Sequence, residues 1–302
     1  MPSGGGSGTD RAGAGQPSVG VAILTQGRRP EELRRAIDSV LAQTGVHLDI
    51  VVVGNGYQPV DLPAGVRAHA LATNEGIPAG RNRGAAQVSG EYIYFLDDDA
   101  WLPDTDYLSR AIGLIRADPS IGLVQPRMMD PESGETLRHW IPRAGSPDPS
   151  ESGPAFSCME ASILLPRAVF DRTGGWAEPF FYAHEGIELA WRVWDQDLRA
   201  WYAGDLRAFH PVVQQTRHSQ YYRLTARNRV WIARRNLPLP LGIAYVGIWT
   251  LATIARWWRK PEALKPWFGG WREGIRTPPG GRMRLSWRTI WRMTRAGRPP
   301  IY

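Results

Sequence analysis

A mixed α/β fold is expected, with a mostly parallel sheet flanked by helices and a basic helical extension at the C-terminal end. Three observations predict it. Short apolar runs alternate with helical periodicity over roughly the first hundred residues, the rhythm of strand–helix–strand units. Those runs end in turn-forming or acidic residues, at the sheet edge where such folds bind ligands. From Leu237 to Tyr302, twelve Arg and Lys stand against Glu262 and Glu273 alone, which leaves the preceding residues at −3 within an overall +7.

Val19 to Leu24 is a buried-strand run, and Thr25 closes it. Pro30, followed by Glu31 and Glu32, suits a first helical turn, where acids meet the positive end of the helix dipole. Leu33, Ile37, Val40 and Leu41 recur at helical spacing. Leu48 to Val53 is a second strand that runs into Gly54-Asn55-Gly56. Val66 to Ala72 reads as a third strand and Pro78 to Gln87 as a short helix; Tyr92 to Leu96 is a fourth strand, with Asp97, Asp98 and Asp99 directly after it. Beyond Val124 the pattern is broken by Pro and Gly. A strand is expected at Ala161 to Leu165, and helices at Glu185 to Gln196 and Tyr221 to Arg235.

Composition narrows the class further. Hydrophobic residues make up 43% and charged residues 22%, ordinary for a globular protein. The single cysteine, Cys158, excludes an intramolecular disulfide framework and fits a reducing compartment. Met1 to Pro17 is Gly/Ser-rich without an apolar run, so a disordered tail is expected, neither signal peptide nor membrane span. Nucleic acid is not the expected partner of the basic region, which lacks a helix-turn-helix, zinc-finger or RNP-like pattern.

The acidic triplet carries the strongest chemical signal. Residues i and i+2 of an extended segment face the same side, so Asp97 and Asp99 can share one site. Adjacent carboxylates repel unless a cation is present. Oxygen ligands select a hard ion such as Mg²⁺ or Mn²⁺. The plainer reading is a solvated loop with a helix-capping Asp.

Four segments then resemble family 2 glycosyltransferases in order: VAILTQGRRPEELRRAIDSVLAQ, Asn74-Glu-Gly-Ile-Pro-Ala-Gly-Arg-Asn-Arg-Gly84, YIYFLDDDAWLP, and Gly174-Gly-Trp-Ala-Glu-Pro-Phe-Phe181. The resemblance covers about Val19 to Pro238. It implies a GT-A, Rossmann-like fold and an inverting, metal-dependent transfer from a nucleotide-diphosphate sugar to a hydroxyl. Residues 18–125 would bind the donor and residues 126–236 the acceptor, leaving 237–302 as a membrane-proximal extension. Asp97 and Asp99 would be the family's acidic pair, holding Mn²⁺ or Mg²⁺, with Asp97 and Asp98 beside the donor. His210, 25 residues after Glu185, matches the place of a third metal ligand, although a lone His is also a common structural residue. Thr25, Asn55, Arg81 and Arg83 would line the nucleotide site.

Two departures stand out. Gly54 occupies the place of an Asp that contacts uracil in many members. Gly186 occupies the usual place of the catalytic base, so Glu185 is the nearest candidate, Glu188 the second and His184 a third. Alternatively, Glu185 caps its helix and Glu188 pairs with Arg192 at i,i+4 spacing.

The acceptor side offers Cys158, Met159 and Glu160, and an aromatic group around Trp176 and Phe180 that also suits a core. The 19 uncharged residues from Leu237 to Ala255 approach the ~20 needed to cross a bilayer. Pro238 and Pro240 are expected to shorten the helix to about 15 residues, and Arg256, Trp257, Trp258, Arg259 and Lys260 follow. A helix lying in an anionic membrane interface therefore fits better than a span, with a core helix as the alternative. The expected setting is the cytoplasm, peripheral on the inner face of the membrane, with a glycan or lipid-linked acceptor in cell-wall or surface-glycan assembly. Natural-product glycosylation, nucleotidyl transfer and non-catalytic nucleotide-sugar binding are the competing functions.

Overall fold

Four apolar runs of the N-terminal half lie side by side as parallel strands: β1 (Ser18–Thr25), β2 (His47–Asn55), β3 (Val66–Leu71) and β4 (Tyr92–Asp97). The protein is seen in a computed structural model that describes residues 15–145, 148–212 and 219–301. Residues 1–14 of the expected tail lie outside these. Val21, Ile23, Val52 and Tyr94 are fully buried, as strands covered on both faces require. The register sets Thr25 opposite Gly54 and Leu24 opposite Asp97, so the chemically marked ends of three strands open on one edge.

Helices cover both faces. α1 (Pro30–Leu41) starts at Pro30 and buries Leu33, Ala36, Ile37 and Val40. α2 (Ile77–Gln87) packs closely because Gly80 and Gly84 face Leu24 and Ala22; a Cβ there would come within 2.5 and 2.8 Å of them. α3 (Tyr107–Ala117) then leads into β5 (Ile121–Met129), β6 (Gly153–Ala155), β7 (Ser162–Pro166), α4 (Arg167–Thr173), α5 (Glu185–Trp194) and β8 (Arg199–Phe209). The sheet order is β3-β2-β1-β4-β7-β5-β8-β6. β7 runs antiparallel to β4 and β5, β6 antiparallel to β8, and β5 pairs in parallel with β8.

Of these, α3, β5, β6, α4 and β8 are absent from the sequence reading. β5 and β8 lack a clean pattern for a physical reason. Their pairing slips between Pro126 and Arg127, and β8 exposes Asp205 and Arg207 between buried neighbours.

The C-terminal helices are α6 (Ser219–Asn236), α7 (Leu239–Trp257), α8 (Pro261–Arg276) and α9 (Trp287–Arg295). They are not detached from the body. Phe156, Phe180, Trp191 and Trp194 share a buried cluster with Trp231, Leu237, Tyr245, Ile290 and Met293. Burying a side chain the size of Phe180 contributes about 1.5–3 kcal/mol. The expected shortening of α7 does not occur. Pro238 is the residue before its first turn and Pro240 lies within that turn, where the missing N–H has no intrahelical partner to lose. α7 is therefore 19 residues long, and only 11% of its apolar window is buried.

Candidate active site

The acid triplet sits where β4 ends. Asp97 N–H donates to the Ala161 carbonyl at 2.9 Å, which anchors the segment before β7 beside it. Thr25 Oγ1 donates to Asp98 Oδ2 at 2.7 Å, and Arg81 Nη2 donates to Asp97 Oδ1 at 2.6 Å. Arg29 pairs with Asp99 and lies 3.6 Å from Asp98. Trp101 and Phe209 exchange backbone hydrogen bonds of 3.1 and 2.8 Å, and this bridge carries His210 to the triplet. His210 Nε2 lies 3.4 Å from Asp99 Oδ1. Asp97, Asp99 and His210 each offer a ligand atom, all within 4.8 Å of one another.

Electrostatics favour a cation here. Burial, reinforced by the neighbouring Asp99 and Asp97 charges, pushes Asp98 up to about 6 against the opposing Thr25 hydrogen bond and Arg29. Burial also raises Asp99, with the Asp97 charge adding and His210 and Arg29 opposing. The His210 Nδ1 atom is buried without a hydrogen-bond partner. Two carboxylates and an imidazole are a donor set that suits Mn²⁺ or Mg²⁺, so these residues fit a divalent ion.

A second group of charges lies across Arg81. Arg81 is 3% exposed, its guanidinium sits 4.8 Å from the centre of the Trp176 ring, and its Nη1 lies 3.8 Å from Glu185 Oε1. Neither Arg81 Nη1 nor Glu185 Oε2 has a hydrogen-bond partner. Glu185 opens α5 and is 3% exposed. Burial and the nearby Glu160 push its carboxyl up to about 8, opposed by Arg81. Glu160 Oε1 accepts the Gly186 N–H at 2.7 Å.

The turn entering α5 is tightly wound. Phe181, Ala183 and His184 all have positive φ, between 62° and 72°, a conformation that non-glycine residues adopt only under constraint. Asn228 of α6 supplies one, donating to the Tyr182 and Ala183 carbonyls at 2.7 and 2.9 Å.

Other expected site residues have different surroundings. Glu188 is not at the acid cluster. It is 1% exposed and paired with Arg192 and Arg235, so the i,i+4 pairing describes it and the base reading does not. His184 lies against Thr225 and Arg229; burial and the Arg229 charge hold its pKa well below the usual imidazole range. Asn55 uses its amide on the loop before α2, donating to the Gly76 carbonyl at 3.1 Å and accepting from Glu75 N–H at 2.8 Å. Arg83 pairs at the surface with Glu75 and Glu178. Gly54 also has a steric reason: a Cβ there would lie 1.9 Å from the Tyr57 carbonyl oxygen, so no Asp fits.

Sequence reasoning overlooked Arg29 as a partner of the acids and placed Glu160 only on the acceptor side. The position of Arg29, at the mouth of the first strand–helix turn, was the available signal. Glu160 had none beyond its closeness to β7.

Comparison with known proteins agrees with this architecture. Residues 20–174 match the model of the family described as Glycosyl transferase family 2. The chain is 26% identical over 258 residues to the O-antigen biosynthesis protein RfbC of Myxococcus xanthus, covering 74% of this chain and 20% of that one. It is 28% identical over 182 residues to an uncharacterized glycosyltransferase of Nostoc sp., covering 54% of this chain and 52% of that one. The chain thus spans a fifth to a half of the length of these relatives. A mannosyltransferase from Pyrobaculum calidifontis, solved with GDP-Man and Mn²⁺, superposes with a TM-score of 0.55 at 15% identity over 95% of this chain and 77% of that one. GalNAc-T7, solved with UDP, GalNAc and Mn²⁺, gives 0.56 at 14% identity over 72% and 48%. These structural likenesses establish the GT-A fold.

Proposed function

This chain belongs to glycosyl transferase family 2, and from that membership we propose that it transfers a sugar from a nucleotide-diphosphate donor to a hydroxyl, inverting the anomer. The observation that carries this reading is the convergence of Asp97, Asp99 and His210 at the sheet edge, with Arg81 and two further carboxyl groups beside them.

Asp97, Asp99 and His210 would hold Mn²⁺ or Mg²⁺. Bound there, the ion would neutralise charge on the diphosphate as it leaves. Arg29 and Arg81 are preorganised cations at the same edge, and such groups stabilise developing negative charge without reorganising. Thr25 orients Asp98, and Asn55 fixes the loop that closes the nucleotide side. On the acceptor side, a carboxylate takes the proton of the attacking hydroxyl, and a single in-line displacement inverts the anomeric carbon.

The acceptor is a surface glycan or a lipid-linked precursor. The likeness to an O-antigen biosynthesis protein supports this. So does the outer face of α7, where Leu239, Ile243 and Leu251 are 65–70% exposed beside a strongly basic region. The protein would then work in the cytoplasm, peripheral on the inner face of the membrane.

A thermal-shift series with UDP, GDP and dTDP, each with and without Mn²⁺, tests the donor half, because a ligand of the native state raises its melting point. A rise with at least one nucleotide that requires Mn²⁺ is expected. No rise with any of them contradicts the proposal.

A further inference from the structure

Gly186 is a vacancy in the family pattern that another residue fills. A Cβ at position 186 would lie 2.2 Å from the Cys158 carbonyl oxygen and 2.3 Å from Glu160 Oε1. The carboxylate of Glu160 therefore stands where a side chain on residue 186 would begin. It is held there by the Gly186 N–H at 2.7 Å, and the Cys158 N–H donates back to the Gly186 carbonyl at 3.2 Å. Next along the chain, Ala161 pairs with Asp97, which ties this carboxylate to the acid edge.

Resting on the reading of the chain as a glycosyltransferase, we propose that Glu160 is its general base, its carboxylate replacing one carried on residue 186. Surroundings separate it from Glu185. Glu160 is half-buried, whereas Glu185 is 3% exposed with one oxygen sealed in without a partner. Charge separates them too. Burial raises both groups, the Asp97 charge adds to it and Arg81 opposes it at both; the Gly186 amide further opposes it at Glu160, while the Glu160 charge adds to it at Glu185. A close carboxyl pair keeps one proton. Glu185, pushed up to about 8, is the member that holds it at neutral pH.

In the step itself, the acceptor O–H proton passes to Glu160 as its oxygen bonds to the anomeric carbon. The bond from that carbon to the diphosphate oxygen breaks, and its electron pair leaves with the nucleoside diphosphate.

Hydrolysis of the donor to water uses the same base and needs no known acceptor. The experiment measures nucleoside diphosphate released from UDP-glucose, UDP-galactose and GDP-mannose with Mn²⁺, alongside the melting-point rise with UDP or GDP. Glu160→Gln still offers an oxygen to the Gly186 N–H, so it retains the local fold. It is expected to lower release by about 100-fold or more while keeping the nucleotide-induced rise. Release by Glu160→Gln at the wild-type rate overturns the assignment, and so does loss in Glu185→Gln alone; both leave glycosyl transfer standing. A wild-type chain that neither binds a nucleotide nor cleaves a donor overturns the parent reading and this one together.

Discussion

Arg29 and Arg81 brace the acid triplet from two sides, one from the strand–helix turn after β1 and one from α2. Acids this close would otherwise repel one another, so replacing Asp99 or His210 acts on ion affinity before it acts on the fold. Asp99→Asn and His210→Ala should each reduce the Mn²⁺-dependent rise in melting point by more than half, measured by the same thermal shift. A full rise in both variants would show that the ion sits elsewhere. Glu185 gives a pH signature of its own. Its folded-state pKa, about 8, lies above the ordinary carboxyl value of 4.5. From the ordinary value up to about 8 the native state keeps a proton that the unfolded chain has released. The stability this provides is complete below the ordinary value and is lost as pH rises through about 8. Glu185→Gln lacks that dependence. Its melting point in metal-free buffer should gain on wild type by at least about 3 °C between pH 5 and pH 9; a constant difference refutes the shift. At this scale the triplet was legible because three adjacent acids after an apolar run are costly without a cation. Glu160 was not, because its partner is a backbone amide 26 positions away and no spacing rule connects them.

Glu188 shows what elements do to a residue that looks chemical in the sequence. It lies on α5, one turn beyond Glu185, and its carboxylate is enclosed by Arg192 of the same helix and Arg235 of α6. Burial and the Arg235 charge lower Arg192 to about 9, so the anion is what keeps these guanidinium groups compatible with one another. Glu188→Gln should therefore destabilise the fold by about 3–5 kcal/mol in urea unfolding; a cost below about 1 kcal/mol would mean the pair is not essential to packing. The i,i+4 spacing of Glu188 and Arg192 was readable in the sequence. The approach of Arg235 was not, because it depends on the docking of α6 against α5. The same limit applies to β5 and β8, whose parallel pairing is a tertiary fact written over a local pattern that charges and a slip in register interrupt.

Across the whole molecule, charge and apolar exposure coincide on the C-terminal helices. The asymmetry was plain in composition, and the exposed face of α7 gives it a surface to act through. Full-length protein should co-sediment with vesicles containing anionic lipid at low salt and release at about 0.5 M NaCl, as screening predicts. Leu251→Glu should weaken that binding several-fold without shifting the melting point, since Leu251 is 70% exposed. Equal binding to neutral vesicles, or none to anionic ones, refutes the membrane role. Composition alone did not reveal that these helices are built into the body through Trp191, Trp194 and Trp231.

The grip of Asn228 on the turn before α5 has a mechanical corollary. Its own helix is tied to α8 through Arg223 and Arg227, both on Glu273, and through Arg234, which donates to the Ile275 and Thr277 carbonyls, so a load on the outer helices is passed to the wound turn. If the outer helices are anchored as proposed, the proton-accepting wall of the cleft would be held more firmly than in a free molecule, and attachment would then act as a setting for the rate as well as an address.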